Sequence, residues 1–260
     1  MSASFVRCDA HCHIDFSAAP RDLVSAAIDC GYLLLSSTVT PEGYLRAQAE
    51  LGGCASSGLL LGVGLHPRWV VDDVAQAEFQ ADALIAELPE ADFVGEVGLD
   101  FSPRFAQSAA AQQRAFERVV RASAEKGAVL FIHAVRSAEA VLDVLERFDV
   151  CGRCACVLHW FSGTSDELTR ARKLGCWFSV GERMLSGKRG RAYVRAMPSD
   201  RLLLETDLPA QPGDHLSFRE LSDSLERAYR QVAEIKGDAV AAATVENACR
   251  LMGVGDSGIA

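Results

Sequence analysis

The chain has 260 residues, 49% hydrophobic and 23% charged, with 26 basic against 35 acidic side chains and a formal net charge of −9. That length suits one α/β barrel of about 250 residues, and the composition is that of a globular protein with a sizeable core. The acidic balance argues against a binder that relies on a broad basic field, and no apolar run approaches the roughly 20 residues needed to cross a bilayer.

The opening segment MSASFVRCDAH lacks the basic region and long apolar stretch of an export signal, so a cytoplasmic location without membrane attachment is expected. Eight strand-like runs then follow in order: FVRCDAHC, YLLLSSTV, LLLGVGLH, DFVGEVGLD, AVLFIHA, CACVLHWF, CWFSVG and RLLLETD. They are near-continuous apolar runs rather than alternating ones, which fits strands covered on both faces. Amphipathic stretches separate them, among them RDLVSAAIDCG, AQQRAFERVVRASAEKG and RSAEAVLDVLERF. In the second of these, Ala115, Phe116, Val119, Val120 and Ala122 form a stripe of about 3.6-residue period, and Gly127 is a natural stop. DELTRARKLG likewise runs from an acidic first turn to a terminal glycine, and SFRELSDSLERAYRQVAEIKG and AVAAATVENACRLMG close the chain as two helices on the outside. Eight βα units predict a parallel sheet closed into a (β/α)8 TIM barrel, a single domain over residues 1–260 with an extra C-terminal helix. An open doubly wound sheet would usually carry a Gly-rich phosphate turn, and no G-x-G-x-x-G follows a strand here.

Six side chains of metal-ligand type stand near the ends of five of these runs: His11 and His13, Glu96, His133, His159 and Asp207. In a parallel barrel such run-ends converge on the face that carries the chemistry. His11 and His13, spaced i, i+2, point the same way and suit a divalent cation, where two partly exposed loop histidines are the alternative. Glu96 lies in an apolar run flanked by Gly95 and Gly98. A buried carboxylate must be ion-paired or coordinated, and as a ligand it can bridge two cations through its two oxygens. His133 and His159 each suit either a satisfied core histidine or a ligand. Asp207 can bind metal and accept a proton from an attacking water. Together the six supply two sites: His11, His13 and Asp207 around one, His133 and His159 around the other, with Glu96 shared. Two cations about 4 Å apart activate water and stabilise attacking and leaving oxygens, chemistry that suits phosphodiester hydrolysis with Glu96 and Asp207 as the catalytic carboxylates. Mg2+ or Mn2+ suits an oxygen-rich substrate, and the imidazoles also tolerate Zn2+.

Three further residues are candidates for substrate contact. His66 ends the third run, and Arg104 follows Glu96 and Asp100 in GLDFSPRF, with a planar fork suited to phosphate or an ordinary place on a surface loop. Arg136 follows the fifth run. From Glu182 to Arg201 six basic residues face two acidic ones, as a solvated helix face or as a phosphate-contacting rim. The nine cysteines are an odd number without an export signal, so no disulfide framework is expected. Cys151, Cys154 and Cys156 read as reduced thiols at a helix–strand junction, with a zinc site as the alternative that lacks a fourth ligand.

The segments DAHCHIDF, GVGLHP, VGEVGLDF, the Q-x-x-F of Gln113 to Phe116, FIHA, VLHWFSG, LLLETDLP and the N-x-x-x-L of Asn247 and Leu251 span residues 8 to 251. In this order they resemble the TatD family of metal-dependent nucleases within the amidohydrolase barrel superfamily. The resemblance implies a (β/α)8 barrel, a divalent metal centre held by His11, His13, Glu96, His133, His159 and Asp207, His66 in the site, and cleavage of DNA or RNA from 3′ ends. More narrowly, GLDFSPRF, LHWFSG and GCWFSVGERML are similar to the TatD-type subunit of Qat anti-phage defence systems, which implies other defence subunits as partners. The chain departs from the family at Val135, where an arginine is common and Arg136 would have to serve, and at Leu208-Pro209-Ala210, where many relatives carry an aromatic. Two other functions fit the same residues: an amidohydrolase-type lactonase, esterase or deacylase, and a non-catalytic metal-binding subunit. Related barrels often place a lysine where Glu96 stands, which favours the nuclease.

Overall fold

The eight apolar runs all become strands in the computed structural model, which describes residues 5–54 and 58–254. They are β1 (Arg7–Cys12), β2 (Tyr32–Ser37), β3 (Leu59–Leu65), β4 (Phe93–Asp100), β5 (Val129–Val135), β6 (Ala155–His159), β7 (Trp177–Val180) and β8 (Leu202–Leu204). They stand in chain order in one sheet, and the pairs β1–β2, β3–β4, β4–β5, β5–β6 and β7–β8 are parallel. Between and after them lie α1 (Pro20–Asp29), α2 (Pro41–Leu51), α3 (Val74–Glu87), α4 (Ala109–Lys126), α5 (Ala138–Arg147), α6 (Ser165–Lys173), α7 (Glu182–Leu185), α8 (Lys188–Ala196), α9 (Phe218–Lys236) and α10 (Asp238–Met252). The fold is a (β/α)8 barrel, as the alternation of runs predicts. The four residues ahead of Phe5, read in the sequence as the lead into the first strand, lie outside the described residues.

Local chemistry sets the helix ends. Gly127 adopts φ 67 and terminates α4, a left-handed conformation that glycine reaches without a Cβ penalty. Thr164 with Glu167, and Ser217 with Glu220, form reciprocal capping boxes that start α6 and α9.

Contacts divide the chain into two compact units, one from the described residues of 1–36, 50–60 and 178–260, the other from 37–49 and 61–177. In the first, Asn247 Nδ2 donates to the carbonyls of Ser199 and Leu202, both at 2.9 Å, and ties α10 to the start of β8. The basic run of α7 and α8 is partly tied down here as well. Arg191 pairs with Glu234 at 3.1 Å, Arg189 donates to the Tyr193 hydroxyl, and Glu182 is held by Arg227. Those pairings favour the helix-face reading for Arg189 and Arg191.

In the second unit Gln112, fully buried, fixes the end of β4 against α4. Its Oε1 accepts the Asp100 amide at 2.8 Å, while its Nε2 donates to Asp100 O, Phe105 O and Ser108 Oγ. The buried glutamine is thus Gln112, one position before the Gln113 that the Q-x-x-F reading singles out; a single helical step turns Gln113 toward the half-exposed face. Gly98, at φ 141, lets β4 approach β5 closely: a Cβ there would lie 2.1 Å from the His133 carbonyl oxygen.

Candidate metal centre

In the first unit His11 lies inside β1, and His13 lies just past its end as the residue before a short 3-10 turn. Asp207 follows β8 by three residues, at φ 57, and is 26% exposed. The His13 Nε2 to Asp207 Oδ1 distance is 3.4 Å and the His11 Nε2 to Asp207 Oδ1 distance 3.9 Å. The two imidazole rings stand edge to face at 5.1 Å.

A second carboxylate, which the sequence reading passed over, positions this group. Asp9 Oδ1 accepts the amides of His11 at 3.3 Å and Thr206 at 3.0 Å, and Oδ2 accepts the Thr206 hydroxyl at 2.5 Å. The backbone continues the clasp, with Asp207 N donating to His11 O and His13 N donating to Leu208 O. Burial pushes the Asp9 carboxyl up to about 7, and the hydrogen bonds from Thr206 and His11 act in the other direction.

In the second unit three imidazoles converge on one oxygen. Glu96 Oε1 lies 2.6 Å from His133 Nδ1, 2.8 Å from His159 Nε2 and 3.3 Å from His66 Nε2, and all four side chains are buried. Asp100 Oδ2 adds a carboxylate oxygen 3.4 Å from His133 Nε2. Burial raises the Asp100 carboxyl, but hydrogen bonds from His133, Ser102 and Arg68 outweigh it and hold the group well below the usual carboxylate range. His66 Nδ1 accepts the Arg68 amide at 3.0 Å. In a neutral imidazole that leaves the proton on Nε2, so His66 presents a donor rather than a lone pair.

The donor sets suit a divalent cation. His11, His13 and Asp207 place ligand atoms within 4.8 Å of one another, and around Glu96 the candidate ligands are His133 and His159, with His66 beside them as a hydrogen-bond donor. Buried nitrogen and carboxylate oxygen in such mixtures are the ligands of Zn2+, Mn2+ and related ions. Among the described residues no such group contains a thiol. Cys154 instead is a free cysteine that donates to the Ser123 carbonyl, and burial pushes its thiol up to about 11.

The candidate substrate residues fare differently. Arg104 sits on an exposed turn with its guanidinium 5.4 Å from the Phe105 ring, and Arg136 is exposed at φ 56. A guanidinium that the sequence did not single out lies nearer to the cluster. Arg68 Nε donates at 2.8 Å to Asp100 Oδ2, the oxygen that lies 3.4 Å from His133 Nε2. The only sequence signal for it is its place two residues after His66.

A (β/α)8 fold with such histidine–carboxylate groups at its strand ends defines a metal-dependent hydrolase. Residues 8–253 match the model of the TatD related DNase family, and the chain belongs to that family. Over 227 residues, 82% of this chain and 81% of the other, it is 36% identical to the 3′-5′ ssDNA/RNA exonuclease TatD of Musicola paradisiaca. It is also 36% identical to the enzyme of that name from Edwardsiella piscicida over 155 residues, a match that spans about half of either chain, 56% of each. The crystal structure of YjjV, a TatD homolog from Escherichia coli, superposes with a TM-score of 0.76 at 24% identity, covering 98% of this chain and 100% of that one.

Proposed function

We propose that the protein is a metal-dependent 3′–5′ exonuclease acting on single-stranded DNA or RNA. Two divalent ions, Mg2+, Mn2+ or Zn2+, are held by His11, His13 and Asp207 and by Glu96, His133 and His159. The observation that carries this reading is the convergence of three buried imidazole nitrogens on Glu96 Oε1. Family membership and the activity named for the relatives support the choice of substrate.

When bound, such ions acidify a water molecule and neutralise charge building on the phosphoryl oxygens. The chain's own residues supply the remainder. Asp207, partly open to solvent and pinned between His11 O and the Asp9–Thr206 clasp, takes the proton of the attacking water. His66, with its donor fixed on Nε2, bonds a non-bridging phosphate oxygen and so prefers the charge of the transition state. Glu96 orients His133 and His159 as well as offering its own oxygens.

The test is metal-dependent digestion of 3′-labelled and 5′-labelled single strands, with Asp207→Ala as control. The 3′ label is released first by the wild type, and the variant loses at least about a hundredfold in rate, the usual scale for a missing general base. Undiminished cleavage by Asp207→Ala, or faster turnover of simple esters or lactones than of oligonucleotides, refutes the assignment. The likeness of GLDFSPRF, LHWFSG and GCWFSVGERML to a defence-system subunit extends the proposal to action beside other defence proteins, which copurification with the products of neighbouring genes tests.

A further inference from the structure

The loop after β3 carries an arrangement that metal binding does not explain. Pro67, Arg68 and Trp69 form one 3-10 turn directly behind His66. The Trp69 ring stands edge to face against the His66 ring at 5.2 Å, yet the side chain is 42% exposed. Its backbone is held on both sides: Trp69 N donates to His66 O at 2.9 Å, and Trp69 O accepts Gln80 Nε2 at 3.0 Å. Gln80 Oε1 in turn accepts the Val71 amide. A large aromatic ring is therefore presented to solvent on a fixed backbone, one imidazole away from Glu96.

Arg68 completes the arrangement. Its Nε is committed to Asp100 Oδ2, which fixes the plane of the guanidinium, while its side chain stays 44% exposed. That bond uses one of the five N–H donors of the group. The guanidinium also lies 5.5 Å from the Phe105 ring, whose neighbour Arg104 lies at 5.4 Å. A planar cation oriented by a buried carboxylate is suited to a phosphate oxygen, and an exposed indole is suited to the face of an unpaired base.

We propose that Trp69 and Arg68 form a nucleotide subsite at the edge of the His66–Glu96–His133 cluster, the indole stacking on an unpaired base and the guanidinium bonding the adjacent phosphate. The subsite rests on the nuclease reading above. Because every base has a π face, it holds the strand without selecting its sequence. It also requires a base to be present. A strand with an abasic terminal unit keeps the phosphate contact and loses the stack.

The experiment compares wild type, Trp69→Ala and Trp69→Phe in binding fluorescein-labelled phosphorothioate single strands, with or without a tetrahydrofuran abasic unit at the 3′ end. Fluorescence anisotropy reads Kd, and cleavage of the unmodified strands reads KM and kcat. Trp69→Ala weakens the full strand by about fivefold to about a hundredfold, raises KM more than it lowers kcat, and leaves the abasic strand unchanged. Trp69→Phe recovers most of the loss. For Arg68→Gln, the slope of log K against log salt becomes shallower by about 0.7, the contribution of one phosphate contact on a single strand. Equal loss on both strands, no loss on either, or an unchanged salt slope for Arg68→Gln overturns the subsite while leaving exonuclease activity standing. Wild-type protein that cleaves no nucleic acid, yet shows the base-dependent loss in Trp69→Ala, overturns the nuclease reading and keeps the subsite.

Discussion

Replacing Thr206 with valine removes one hydroxyl from the centre of the Asp9 clasp and changes little else in volume. The lost bond is the 2.5 Å donation to Asp9 Oδ2, made inside the protein to a carboxylate. Hydrogen bonds to charged groups contribute about 1.5–3 kcal/mol. Leu208 N, which donates to the Thr206 hydroxyl oxygen at 3.3 Å, also loses its acceptor, a part-buried bond of smaller weight. The added methyl returns less than about 0.8 kcal/mol. The net is a destabilisation of about 2 kcal/mol, or about 4–8 °C in Tm for a chain of this size. Metal-free protein is to be melted at pH 8, above the Asp9 titration near 7, so that the carboxylate is charged. The clasp also holds the backbone on either side of Asp207, so titration calorimetry with Mn2+ shows affinity lower by about tenfold to a hundredfold, as for other groups that orient ligands. A double-mutant cycle with Asp9→Asn isolates the pair. A melting change under about 2 °C, or effects of Asp9→Asn and Thr206→Val that simply add, refutes the reasoning.

Metal removal has its own signature. Saturation at a hundred times Kd stabilises the folded state by about 2.7 kcal/mol, so chelation lowers Tm by several degrees and abolishes cleavage, and His133→Ala forfeits part of the gain on adding metal back. Gln112→Ala leaves the Asp100 amide and carbonyl unpaired in the interior. A loss of about 2–4 kcal/mol in urea titration is expected, with a fall in activity as Asp100 loosens its hold on Arg68, and wild-type stability contradicts that role.

The barrel is legible in the sequence because a strand buried on both faces needs an unbroken apolar run, and eight such runs survive in order. The ligand-type residues stand out for the complementary reason: a histidine or carboxylate interrupts such a run only at a cost. What escapes the sequence are partnerships across long separations. Asp9 and Thr206 are 197 positions apart, and each looks unremarkable alone. Arg68 finds Asp100 through the adjacency of β3 and β4, whereas Arg136, the nearest arginine in sequence to Val135, faces outward. Gln112 and Gln113 differ by one helical step, finer than a motif read without its helix can resolve.

The Asp9–Thr206 clasp joins the first strand to the last. His66, Glu96, His133 and His159 fall within 94 positions, so all four are present well before β8 is made. His11, His13 and Asp207 cannot meet until β8 exists. Closing the longer loop costs only about 0.6 kcal/mol more per doubling of length, yet it must wait for synthesis and for every intervening unit to fold. A chain that stops short of β8 therefore lacks the group formed by His11, His13 and Asp207. On the proposed mechanism, which uses both donor groups, cleavage waits until the first strand and the last have met.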